Sequence, residues 1–173
     1  GPDDAVPWEF QCTGGRRAGE WTSIPVPSNW ELQGFGGYNY GHDKNKADER
    51  GLYRRPFFVP AAWKGRVVRL VFGGVMTDTR ARVNGQPAGP LHQGGFYEFR
   101  YDIGGLVRFG ETNRLDVDVA KVSANPRVED AEPRAAPLGT LVLALALDRV
   151  GRVHEYALHV LEMEEPGAVD QLV

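Results

Sequence analysis

"NRLDVDVAKV", residues 113–122, alternates apolar and charged side chains. Leu115, Val117 and Val119 occupy one set of positions, and Asp116 and Asp118 the other. Successive side chains of an extended chain point to opposite faces, so this pattern predicts a strand with one face in a core and one in water. A half-buried strand of this kind belongs to an antiparallel sheet.

The same period recurs on both sides of this stretch. "TDTRARVNGQ" (77–86) puts Ala81 and Val83 on one face and Arg80 and Arg82 on the other. Its Asn84-Gly85 predicts a tight hairpin, because both residues tolerate the positive φ that a type I′ turn demands. "FYEFRYDI" (96–103) separates Phe96, Glu98 and Arg100 from Tyr97, Phe99 and Tyr101. "GLYRRPFFVP" (51–60) and "GRVVRLVFGG" (65–74) are aromatic and β-branched runs that end at Pro and Gly. "RVHEYALHVLEME" (152–164) aligns Tyr156, Leu158 and Val160. "GTLVLALALDR" (139–149) has leucines at every second position and is read as a strand, although Leu and Ala favour helix. "SANPRVEDAEPRAAP" (123–137) is polar and proline-rich and reads as a long loop. Many short strands with turns between them, and no long helical pattern, predict an all-β fold, a β-sandwich or jelly roll. The expectation is one β-sandwich domain over 1–173, with 138–173 as its C-terminal strands.

Composition narrows the function. The net charge of −3 over 173 residues lacks the basic excess of nucleic-acid binders. The longest apolar run, "PLGTLVLALAL", is too short to span a bilayer. Cys12 is the sole cysteine, so an internal disulfide is impossible, and its place in "WEFQC" suits a buried, inert thiol. A single cysteine fits the cytoplasm, the periplasm and the extracellular space alike.

Motif order carries more than composition. "IPVPSNWELQGFG", "GLYRRPFFVPAAWKGRVVRLVFGGV", "ARVNGQPAG" and "HQGGFYEFRYDIGGLVRFGETNRLDVDV" follow one another over residues 21–126. In this order they resemble the N-terminal sugar-binding domain of glycoside hydrolase family 2, the β-galactosidases, β-glucuronidases and β-mannosidases. The resemblance implies a galactose-binding-like jelly roll, a bacterial type of parent, and a catalytic TIM barrel as partner domain. Two departures stand out. Family members continue beyond the last motif into a stretch like "DYWNFGGIFRPVYL", where this chain has "RVEDAEPRAAPLGTLVLALAL". Asp48 stands where some members carry an active-site Asn.

The family's hydrolysis uses two carboxylates across the glycosidic bond, held by a barrel that takes about 250 residues. The chain by itself is therefore expected to be non-catalytic. Glu31 reads as part of a structural loop. His42, His92, His154 and His159 are scattered, and His154 and His159 fall on opposite faces of a strand.

Binding is the remaining chemistry. Sugars stack their C–H faces on aromatic rings and hydrogen-bond to planar polar groups. "VPSNWELQGFGGYNYG" (26–41) has no strand or helix period, and it holds four aromatic residues and four glycines. Trp30 and Phe35 are expected to plug the core. Tyr38, Asn39, Tyr40, His42 and Asp43 are expected to face outward, with Arg54 following, as a carbohydrate-binding set or as a surface for a partner domain. No cofactor is expected to be required. "YGHDKNKADERG" (40–51) offers Asp43, Asn45, Asp48 and Glu49 as oxygen ligands for a structural calcium, or is a solvated charged loop. The competing functions are a non-catalytic sugar-binding domain and a β-sandwich that serves only an interdomain or oligomer interface.

Overall fold

A computed structural model describes residues 5–37, 48–95, 97–125, 127, 140–141 and 162–164, the last two short segments as backbone only. It is an all-β sandwich of antiparallel sheets, as the alternation predicts. The large sheet has the order β2-β1-β4-β9-β6-β7. These strands are β1 (Val6–Cys12), β2 (Thr22–Val26), β4 (Arg50–Val59), β6 (Thr79–Val83), β7 (Gln86–Pro87) and β9 (Glu111–Ala120). Opposite lie β5 (Val67–Phe72) and β8 (Phe99–Asp102), joined on the other side of β5 by β11 (Glu162–Glu164). A small pair joins β3 (Ser28–Asn29) to β10 (Thr140–Leu141).

β9 and β4 pair over their whole length, from Arg50↔Ala120 to Val59↔Glu111. Leu115, Val117 and Val119 are buried, and Asp116 and Asp118 lie on the wet face. β6 repeats this, with Ala81 and Val83 inside and Arg80 and Arg82 outside. Asn84 and Gly85 both take positive φ, 51° and 83°, and turn β6 into β7 as the dipeptide predicts. The strand expected over 96–103 begins only at Phe99: Tyr97 lies before it and is exposed, because the Gly94-Gly95 bend and its exit occupy the preceding residues. Of the strands expected over 139–149 and 152–164, only 140–141 and 162–164 lie within the described residues.

One core joins the sheets. Phe10 is its aromatic hub, 4.8 Å from Tyr53, 5.0 Å from Phe35 and 6.0 Å from Trp30 between ring centroids. Trp30 and Phe35 are fully buried, so this part of the aperiodic stretch does plug one end of the sandwich. The plug is tight. A Cβ on Gly51 would stand 2.5 Å from the Trp30 ring and 2.9 Å from that of Tyr53.

Candidate functional site: a charged clasp at the loop end

β4 and β6 begin, and β1 and β9 end, at the same end of the large sheet. The turn 30–35 covers this end. Asn29 starts the turn by accepting the Glu31 N–H at 2.8 Å. Trp30 then points into the core and Glu31 folds beneath the turn, while Leu32 is left 75 % exposed. The chain continues to Gly36, which exchanges backbone hydrogen bonds with Arg16 at 3.0 and 3.1 Å, and to Gly37.

Gly37 and Asp48 flank residues 38–47, and a buried cluster of charges lies between these flanks. Lys121 follows the last residue of β9 and is 2 % exposed. Its Nζ is ion-paired with Glu31 Oε1 and lies 3.3 Å from Glu49 Oε2, and it donates to the Gly37 carbonyl. Glu49 Oε1 accepts the Gly37 N–H at 2.6 Å. The Lys121 N–H reaches the Glu49 carbonyl at 3.0 Å, which extends the β4–β9 ladder by one rung. Charges removed from water must be paired and hydrogen-bonded. Here one ammonium pairs with both carboxylates, and the set joins the turn 30–37, the entrance to β4 and the exit of β9.

A second polar node sits beside it. The buried Asp78 carboxylate accepts from Ser123 Oγ (2.5 Å), Ala124 N–H (2.9 Å) and Gln93 Nε2 (3.1 Å). Burial works against its charge, but these hydrogen bonds and the nearby Arg50 outweigh that and hold its pKa below the ordinary carboxylate value. His92 stacks on Phe99 with centroids 3.6 Å apart. Burial lowers its pKa, and Asp78 opposes that only in part. Cys12 lies at this end with its thiol donating to the Gly14 carbonyl at 3.2 Å. Burial pushes the thiol pKa up, which agrees with an inert core cysteine.

Tyr38, Asn39, Tyr40, His42 and Asp43 lie outside the described residues, as do Asn45, His154 and His159. Arg54 is described, and it stands apart from the clasp. It lies on the open face of the large sheet, 3.1 Å from Asp116 and 3.6 Å from Glu9, with its guanidinium 4.4 Å over the Trp21 ring. Asp48 is exposed. Glu49 directs one carboxylate oxygen to the Gly37 N–H and the other to the Lys121 ammonium. Among the described residues, no group of three His, Cys, Asp or Glu stands close enough to hold a metal ion. Sequence reasoning missed Lys121 altogether. Its odd position continues the inward set Leu115, Val117 and Val119, so the alternation already turns it toward the core side; what the alternation does not contain is the pair of glutamates that meets it there.

The family description "Glycosyl hydrolases family 2, sugar binding domain" matches residues 15–136. A β-galactosidase of Psychromonas ingrahamii is 30 % identical over 122 residues, covering 65 % of this chain and 12 % of that protein. A β-galactosidase of Bacteroides ovatus is 28 % identical over 122 residues, covering 65 % of this chain and 14 % of that protein. The chain thus spans a small fraction of the length of these relatives. In fold it is similar to a β-D-glucuronidase from Dictyoglomus thermophilum, with a TM-score of 0.53 at 24 % identity over 69 % of this chain and 19 % of that one. With the motif order, the antiparallel sandwich and the family match over most of its length, the chain belongs to the sugar-binding domain family of the family 2 glycosyl hydrolases.

Proposed function

We propose that this chain is a non-catalytic carbohydrate-binding domain that presents glycan to a catalytic TIM-barrel partner of a β-galactosidase-like hydrolase. The observation that carries this reading is the family match, which extends across the loop end where the segment 38–47 leaves the sandwich. Tyr38 and Tyr40 supply rings for the sugar's apolar face, and Asn39, His42 and Asp43 supply hydrogen bonds to its hydroxyls. Arg54, held by two carboxylates on the open face, is the outlying member of the set.

Isothermal titration calorimetry tests this directly. The full chain is titrated with galactose, glucuronic acid, mannose and short β-linked oligosaccharides. Binding in the millimolar range that disappears in Tyr40→Ala is the expected result. No heat with any of these sugars would sink the reading.

A second reading has its own support. Leu32 and Tyr97, 75 % and 56 % exposed, stand at the same end of the sandwich as the clasp. Exposed apolar side chains at one end suit contact with a partner domain. On that reading the ring-bearing segment faces protein, and no sugar binds the chain alone.

A further inference from the structure

We propose that Asn84 is a deamidation site gated by the hairpin end of the sandwich: the folded end shields its amide from cyclisation, local opening exposes it, and conversion to aspartate or isoaspartate then holds that end open. The proposal does not depend on the carbohydrate reading.

Asn84 stands in the chain's sole Asn-Gly pair. Glycine has no side chain to obstruct attack by its own backbone nitrogen, and a Cβ built on the exposed Gly85 would meet no atom within 4 Å. The reaction balances with water alone as co-reactant. The Gly85 nitrogen gives up its proton to solvent and attacks Asn84 Cγ. An N–Cγ bond forms, the Cγ–Nδ2 bond breaks, and Nδ2 takes up a proton and leaves as ammonia. Water then opens the resulting succinimide at one of its two carbonyls, which yields aspartate or isoaspartate.

The fold opposes the first step. Asn84 Nδ2 donates to the Leu106 carbonyl at 3.0 Å and to Asn113 Oδ1 at 2.7 Å, and Asn84 Oδ1 accepts the Arg114 N–H at 3.0 Å. The Asn84 N–H donates to the Arg114 carbonyl at 2.8 Å. The side-chain amide is thus tied to β9 and to the turn before it, and not to its own hairpin. Swinging Cγ onto the Gly85 nitrogen breaks all three side-chain bonds and leaves half-buried donors and acceptors unmet. Ring closure therefore waits for this end of the sandwich to open.

The product does not fit the site that the amide leaves. An ionised aspartate only accepts hydrogen bonds, and it would face two acceptors, the Leu106 carbonyl and Asn113 Oδ1. Asn113 is not free to flip and donate instead. Its Oδ1 also accepts the Arg108 N–H at 2.7 Å, and its Nδ2 serves the carbonyls of Arg108 and Glu111 at 3.0 and 3.1 Å. Isoaspartate adds a carbon to the backbone of a two-residue turn and disturbs the Val83↔Gln86 pair that β6 and β7 share. Conversion thus removes the bonds that had prevented it.

The test incubates the full chain at mildly alkaline pH and follows the tryptic peptide 83–100 by mass and by chromatographic retention. Asn84 is the only asparagine in that peptide. The same peptide, synthesised and free in solution, sets the unshielded rate. Conversion in the folded chain is expected to be slower by at least about tenfold, and Asn113→Ala is expected to recover at least about tenfold of that protection. Equal rates in the chain and the free peptide overturn the proposal. The gate is read in the unaltered chain as well, which covers the case in which Asn113→Ala does not fold. Below the unfolding transition, a conversion rate nearly independent of urea marks a local opening and supports the proposal. A rate that climbs with the full urea slope of unfolding marks a global opening and overturns it. Asn84→Asp reads the last step, with a melting temperature expected to fall by about 3–6 °C. An unchanged melting temperature would overturn the claim that conversion holds the end open.

Discussion

The two ends of the sandwich are both sealed by buried polar groups, and they use different chemistry. At the hairpin end the groups are neutral amides. Asn113 accepts from Arg108 N–H (2.7 Å) and Asn84 Nδ2 (2.7 Å), and it donates to the carbonyls of Arg108 and Glu111. Asn84 also accepts the Arg114 N–H at 3.0 Å. The amides join the β6–β7 hairpin to the turn before β9, and apart from the bond between the two side chains each completes a backbone group that the turns leave open. At the loop end the groups are ions, and they join segments far apart in sequence. Neutral amides close a short turn with little desolvation. Ions demand complete pairing, so they suit a place where distant segments must meet in one arrangement.

The sharpest way to break this contrast is Lys121→Met alone. It strands two buried carboxylates, and a loss of about 3–5 kcal/mol is expected in urea unfolding. A loss no larger than that of a surface substitution would show that water already reaches Glu31 and Glu49. Gly51→Ala comes next. Its methyl would meet the Trp30 and Tyr53 rings, and with no flexible neighbour to yield, a loss of about 1–3 kcal/mol follows, measurable in the same titration. At the other end, Asn113→Ala leaves turn N–H and carbonyl groups unpaired and should remove about 1–3 kcal/mol, by the same amount in neutral and acidic buffer because the deleted amide carries no titrating proton.

Acid should separate the ends more gently. The folded pKa of His92 lies below its ordinary 6.5, so its contribution is present above that value and is lost as the pH falls through the folded pKa. Asp78, also depressed below its ordinary 3.8, adds a second loss further into acid. The melting temperature should fall between about pH 7 and about pH 5, and His92→Phe should flatten that slope while keeping the stack on Phe99. An unchanged slope would place the titrating group elsewhere. The smallest expected effect is that of Tyr53→Phe. Among the described residues the Tyr53 hydroxyl is buried without a hydrogen-bond partner, so its removal should change stability by less than about 1 kcal/mol, and in the stabilising direction. Clear destabilisation would reveal a partner for the hydroxyl.

The hairpin end was legible in the sequence, and the loop end only in part. Asn84-Gly85 announces its turn because positive φ is a local steric property. Leu115, Val117 and Val119 announce their burial because strand alternation is local too. Trp30 and Phe35 could be assigned to the core from size and hydrophobicity. Arg54 sits close in sequence to the ring-bearing segment, yet the strand between them carries it onto the open face beside Trp21. Glu49 read as a calcium ligand or a solvated charge, and its actual partner lies 72 residues away.

By itself, then, the sequence determined the class of fold, which side chains of its strands face the core, the hairpin and the family, because each rests on the period of neighbouring side chains or on the order of short motifs. Only the tertiary structure decided what closes the loop end. The alternation already puts Lys121 on the inward side of β9, but its pairing with Glu31 and Glu49 is a property of three segments meeting, which no local pattern contains.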